Sequence, residues 1–231
     1  MKVALITAGG SGMGADAARR LAADGFHVGI LSASGKGQTL GESLGGFGVT
    51  GSNLDSSALT ALVDGAVSRW GRVDVLVNSA GHGPKGKLLD ISDADWSKGI
   101  DMYLMNVIRA ARAVAPAMLA GGGGTILNIS SFAAVEPSAT FPTSAVARAG
   151  LAAFAKLFAD EYAGQNLRMN NILPGYIDSL PETEARRAGI PMGRYGRVEE
   201  VSAMVSYLAS DLAAYVTGQN FRIDGGLVKG L

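Results

Sequence analysis

Thr7-Ala8-Gly9-Gly10-Ser11-Gly12-Met13-Gly14 lies between an apolar run, Val3-Ala4-Leu5-Ile6, and a stretch with helical periodicity over residues 12–24. A turn this rich in glycine lets the backbone approach a bound group closely, because glycine has no Cβ and adopts positive φ without penalty. The group that such a strand–turn–helix holds is a pyrophosphate, whose charge faces amide N–H groups and the helix N-terminus. Taken alone, the turn is also consistent with a plain tight βα connection. Its place in the first βα unit of an alternating chain favours the nucleotide.

The alternation extends outward from that turn along the whole chain. Strands are predicted over residues 3–7, 27–32, 48–52, 73–78, 124–130, 167–173 and 220–223. Helices are predicted over 12–24, 56–70, 93–119, 143–163 and 198–210, with a weaker one at 38–44. Strands separated by helices need crossover connections, and these make a parallel sheet covered on both faces. The expected fold is α/β: a Rossmann-type doubly wound parallel sheet of about seven strands, in one domain spanning 1–231. Gly121–Gly124 reads as the end of the long helix and a tight turn into the next strand, not as a hinge.

Composition narrows the function classes. Hydrophobic residues make up 48% and charged residues 17% of 231, with 20 Lys+Arg against 20 Asp+Glu. That balance gives no basic face for nucleic acid or an anionic membrane. With no cysteine and two histidines, His27 and His82, no thiolate or multi-histidine metal site is expected. The N-terminus runs straight into a strand, and no window is apolar enough to span a bilayer, which points to the cytoplasm.

Further motifs follow in order: Asn78-Ser79-Ala80-Gly81, Asn128-Ile129-Ser130-Ser131, Asn170, Pro174-Gly175-Tyr176-Ile177-Asp178-Ser179 and Asp224-Gly225-Gly226. Together with the glycine turn they resemble the short-chain dehydrogenase/reductase family, in its branch of 3-oxoacyl-acyl-carrier-protein reductases. Ala8 replaces the first glycine of the family's turn, and Ser79 its second asparagine. The resemblance implies a nicotinamide dinucleotide held by Thr7, Gly9, Ser11, Gly12, Met13, Gly14, Asn53, Leu54, Asn78, Ala80, Gly81, Pro174, Gly175, Ile177 and Ser179. Asn53 is expected at the adenine. After the second strand, a carboxylate would grip the ribose 2′-OH and repel a 2′-phosphate. Here stand Ser32, Ser34 and Lys36, which favour NADP, with NAD as the alternative.

The family's proton-handling pair is missing. The resemblance makes Ser131 the catalytic serine and implies tyrosine thirteen residues on and lysine four further, where this chain has Ser144 and Arg148. An aliphatic hydroxyl is a far weaker acid than a phenol, and an arginine stays protonated to above ~12. Ser144 reads either as part of the centre or as a first-turn or capping residue of its helix. Arg148 suits ribose hydroxyls or an anionic group on the substrate. Seven residues after Trp96, Tyr103 stands where the family has an active-site asparagine. With Ile100 and Val107 it should face the sheet, either as a relocated proton donor beside Ser131 and Arg148 or as a core tyrosine. His82, Lys85 and Lys87 are candidates in the loop after Gly81, though an exposed, solvated loop accounts for them better.

The segment between Ser179 and Ile190 is short and polar, which suggests an open pocket or one closed by a neighbouring subunit. The helix near 145–158 is apolar nearly all round, so a homodimer or homotetramer is expected. The leading reading is an NAD(P)-dependent oxidoreductase acting on a small carbonyl or alcohol substrate. The alternatives are a cofactor-binding sensor or scaffold without turnover and, less favoured, a non-redox lyase on the same fold.

Overall fold

The computed structural model describes residues 1–230. The element order is β1 (Val3–Thr7), α1 (Gly12–Ala23), β2 (His27–Ser32), α2 (Lys36–Ser43), β3 (Phe47–Thr50), α3 (Ser56–Trp70) and β4 (Val75–Asn78). There follow α4 (Asp93–Ile100), a π-helical turn (Asp101–Met105), α5 (Asn106–Ala120), β5 (Gly124–Ile129), α6 (Pro142–Tyr162), β6 (Leu167–Pro174), α7 (Glu184–Arg187), α8 (Val198–Ala209) and β7 (Asn220–Ile223). The seven strands form one parallel sheet in the order β3-β2-β1-β4-β5-β6-β7. The order reverses direction between β1 and β4. The crevice beyond the carboxyl ends of those strands is where doubly wound sheets hold ligands.

Successive strand residues point to opposite faces. Leu5, Leu76 and Ile126 pack with α3, α5 and α6 through Leu62, Val114, Met118 and Phe158. Their neighbours Ile6, Val77 and Leu127 pack with α1 and α8 through Leu21, Val201 and Val205. Both faces are covered, which is why the strands read as continuous apolar runs. On α6, Leu151 and Ala155 are buried while Val146 and Leu157 are exposed. No helix among the described residues is long and apolar enough to cross a membrane.

Two expectations change here. The strands predicted at 48–52 and 73–78 are shorter and shifted, at Phe47–Thr50 and Val75–Asn78. More consequentially, the helix predicted over 93–119 is interrupted by the π-helical turn. Such a turn closes i→i+5 bonds and shifts the helical register, and it recurs at functional sites. Tyr103 and Val107 are buried as expected, but Ile100 is 40% exposed and does not share their face. The glycine run behaves as predicted: α5 stops at Ala120, and Gly122 and Gly123 take φ of 88° and 128°.

Candidate active site

The cradle comes first in the chain. Ala8 has φ of 50°, a left-handed conformation unusual for a side-chain-bearing residue, and Gly12 has φ of 53°. A Cβ on Gly14 would lie 2.9 Å from the Ala8 carbonyl oxygen and 3.1 Å from Gly9 Cα. Only glycine lets α1 start this close under the turn. The first N–H groups of α1 lack intrahelical partners, and no side chain caps them. Backbone donors, a close approach and the helix dipole therefore converge, and these residues fit the pyrophosphate of a dinucleotide.

Strand ends brace the cradle. Thr7 Oγ1 accepts from the Ser79 N–H at 3.3 Å, and Asn53 Nδ2 donates to the Ser79 carbonyl at 3.1 Å. Asn78 belongs to a buried ladder across adjacent strands. Its Nδ2 donates to Asn128 Oδ1 at 3.0 Å, Asn128 to Asn171 at 2.8 Å and Asn171 to Asn220 at 2.8 Å. The four residues stand opposite one another in register, so each amide satisfies the next.

Beyond β2, Ser32 is tied into its own loop. Its hydroxyl donates to the Ser34 carbonyl at 2.5 Å and accepts from the Ser34 N–H at 3.2 Å, inside its own loop. Gly10 and Gly37 crowd it from both sides, so it is buried. Ser34 and Lys36 are exposed, and Lys36 opens α2. The Ile177 side chain is buried in the core beside α1 and α8, which leaves only its backbone groups to meet a cofactor. Gly12 and Ser179 face each other, with a Cβ on Gly12 3.5 Å from Ser179 Cβ. Leu54 and Met13 are half-buried, and Ser11 is exposed at the start of α1.

At the other end lies a cavity of about 410 Å³. Met13, Ala80, Gly81, Pro174 and Gly175 line its cofactor side, and Tyr103, Ser131, Ser144 and Arg148 line its reaction side. Ser131 follows β5, and its Oγ accepts from the Ala133 N–H at 3.2 Å, leaving its proton free to donate. Ser144 is not a cap. The N-cap of α6 is Phe141, without a side-chain bond, and Ser144 Oγ instead accepts from Arg148 Nε at 3.1 Å. Arg148 is buried, and its Nη1 donates to the Ile129 carbonyl at 3.2 Å. Burial pushes its pKa down to about 10, while the Tyr103 oxygen pulls the other way. It therefore stays charged at neutral pH.

Tyr103 meets this cation directly: Arg148 Cζ sits 4.5 Å from the centre of its ring. The Tyr103 hydroxyl accepts a hydrogen bond from the Gly83 N–H. A core tyrosine would be expected to donate to a carbonyl; here the oxygen accepts, and its proton is free. The π-helical turn carries the residue to this position, in the same cavity as Ser144. His82 is exposed in the adjoining loop.

A family model described as enoyl-(acyl carrier protein) reductase matches residues 7–228. The 3-oxoacyl-acyl-carrier-protein reductase FabG of Thermotoga maritima is 35% identical over 240 residues, covering 98% of both chains. The chain belongs to the short-chain dehydrogenase/reductase family. The enzyme of the same name from Escherichia coli K12 is 33% identical, covering 98% of this chain and 97% of its own. The trans-4-hydroxycyclohexanecarboxylate dehydrogenase of Sinomonas cyclohexanicum is 35% identical over 99% of this chain and 93% of its own. Within this family of oxidoreductases the chain lies on the side of the 3-oxoacyl-acyl-carrier-protein reductases.

Several residues at the site of this short-chain reductase escaped the sequence. Ser130 Oγ is buried without a partner and belongs to the residues lining the cavity. Gly83 supplies the N–H to Tyr103, and Leu180, Pro181, Thr183 and Arg186 of the short lid segment reach the cavity wall. The asparagine ladder had a visible signal: asparagines recurring at matching depths of strands that otherwise read as apolar.

Proposed function

We propose that this chain is an NADP-dependent reductase of a small carbonyl substrate, or the corresponding dehydrogenase, whose proton passes through Tyr103. A nicotinamide dinucleotide bound in the cradle supplies the hydride for the carbonyl carbon, or accepts it in reverse. The observation that carries the reading is the position of Tyr103, in one cavity with Ser131, Ser144 and Arg148 and stacked on the arginine. Ser131 donates to the substrate oxygen and fixes its orientation. Tyr103 donates the proton, which leaves negative charge on its oxygen and ring. That charge meets the Gly83 N–H on the oxygen and the Arg148 guanidinium over the ring. Ser144, held by Arg148 Nε, keeps the cation turned toward Tyr103.

The choice of NADP rests on the loop after β2. It has no carboxylate, and it exposes Ser34 and Lys36 at the start of α2, where a 2′-phosphate gains both a cation and a helix N-terminus. The exposed Val146 and Leu157 of α6 favour a homodimer or homotetramer, and a monomeric mass by light scattering would count against it.

The test is binding, then turnover. NADPH should bind more tightly than NADH by calorimetry, and a panel of ketones and aldehydes should oxidise it. Tight binding with no hydride transfer to any member would favour a sensor over an enzyme.

A further inference from the structure

The charged groups of the cavity carry one sign. Lys85, Arg148 and Arg186 line it, and among the described residues no Asp or Glu does. None of the three takes part in an ion pair among the described residues. The chain as a whole is balanced at 20 basic and 20 acidic residues, so this is a local concentration of positive charge. Unneutralised cations lining a concave site attract and hold anions.

Their burial is graded: Lys85 is exposed, Arg186 half-buried and Arg148 buried. The outer two are held over aromatic rings from different elements. Lys85 Nζ lies 4.8 Å from the centre of Phe141, ahead of α6, and Arg186 Cζ lies 5.1 Å from that of Tyr176, after β6. Such stacking fixes a cation in place without neutralising it, so its N–H groups remain available to an anion. Tyr176 in turn meets Phe132 edge-on with centroids 5.6 Å apart. An aromatic wall thus runs from the reaction side of the cavity to a cationic rim.

We propose that the substrate is a small apolar carbonyl compound, or its alcohol, bearing a carboxylate that Lys85 and Arg186 hold at the rim. Its apolar body lies on Phe132 and Tyr176, and its carbonyl reaches Tyr103 and Ser131. Arg148 is not the holder, because its Nε and Nη1 already donate to Ser144 and to the Ile129 carbonyl. This assignment rests on the reductase reading of the same cavity. The ketone gains a hydride at carbon from the reduced cofactor and a proton at oxygen, giving a secondary alcohol, and the carboxylate is unchanged.

The test needs no turnover. The NADP-saturated protein is titrated by calorimetry with cyclohexanecarboxylate and with cyclohexanecarboxamide, which have nearly the same shape and differ in charge. The carboxylate should bind about tenfold or more tightly at low salt, with the gap narrowing as ionic strength rises. In the Lys85→Gln/Arg186→Gln double variant the ratio should fall to about twofold or less. A ratio between two ligands cancels any loss common to both. Equal binding, a preference kept in the double variant, or carboxylate binding weaker than about 10 mM overturns the proposal. Binding of an acyl thioester on an acidic carrier protein without any preference for the free carboxylate would also overturn it, and would make the rim a protein-docking site. Because binding is read directly, this outcome is separable from failure of the ketone panel.

Discussion

The two ends of the cavity are built on different principles. The cradle is made of backbone: N–H groups at the start of α1, glycines under it, and Thr7, Asn53 and the asparagine ladder holding strand ends in place. The reaction end is made of side chains from separate elements, Tyr103 from the π-helical turn, Ser131 after β5, and Ser144 and Arg148 from α6. A backbone site depends on conformations that few residues permit, so its sequence varies little in kind. A side-chain site can be reassembled from a different helix provided the groups still meet. That contrast explains how a chain can keep the glycine-rich form of the cradle, with Ala8 and Ser79 as its substitutions, while the side chains at 103, 144 and 148 all differ from the family's.

The contrast can be broken first at the cradle. In Gly14→Val the added carbons meet the Ala8 carbonyl and Gly9 Cα, which are backbone and cannot yield cheaply. Dinucleotide affinity should fall by about 100-fold or more, roughly 2.7 kcal/mol. Calorimetry that finds near-normal affinity would show that the close approach is dispensable.

A smaller effect tests the reaction end. Burial holds Arg148 at about 10, below the ordinary arginine value, so the unfolded chain binds this proton more tightly than the folded one. The penalty is present in full below the folded value and is released as pH rises from about 10 toward the ordinary arginine value. Arg148→Met removes it, and urea denaturation should show about 1–2 kcal/mol of added stability. The gain should be equal at pH 6 and pH 9, and turnover should fall. A destabilised variant would mean that the bonds to Ser144 and Ile129 outweigh the buried charge.

The smallest effect returns to the turn. Ala8 is a non-glycine residue in the left-handed region, so Ala8→Gly should stabilise the fold by about 0.5–1 kcal/mol, the relief of strain outweighing the added chain entropy. An unchanged or lower melting temperature would show that Ala8 sits there without strain.

What the sequence disclosed follows the same division. Apolar runs and glycines located the sheet, the crossovers and the turn, because each reflects a local demand of the backbone. The burial of Ser32 was not legible, because hydroxyls do not announce their partners; only the closeness of Gly10 and Gly37 explains it. The motif singled out Ile177, and the burial of its side chain against α1 and α8 became visible only in the packing. Tyr103 stood out by position, but the π-helical turn has no clear residue signature. The Gly83 contact joins residues twenty apart in the chain. Lys85 and Arg186 acquire meaning only once their shared cavity is known.

The central claim is that the proton of this short-chain reductase passes through Tyr103 and not through the serine at the family's tyrosine position. Single-turnover hydride transfer, followed by loss of NADPH absorbance, tests it in Tyr103→Phe and Ser144→Ala, each saturated with cofactor and given the same ketone. The account predicts that Tyr103→Phe is slower than the parent by about 100-fold to 10,000-fold, the usual range for losing a general acid. Ser144→Ala should lose about tenfold or less, since it removes only the hydroxyl that steadies Arg148. Undiminished transfer in Tyr103→Phe, or a greater loss in Ser144→Ala, would contradict it.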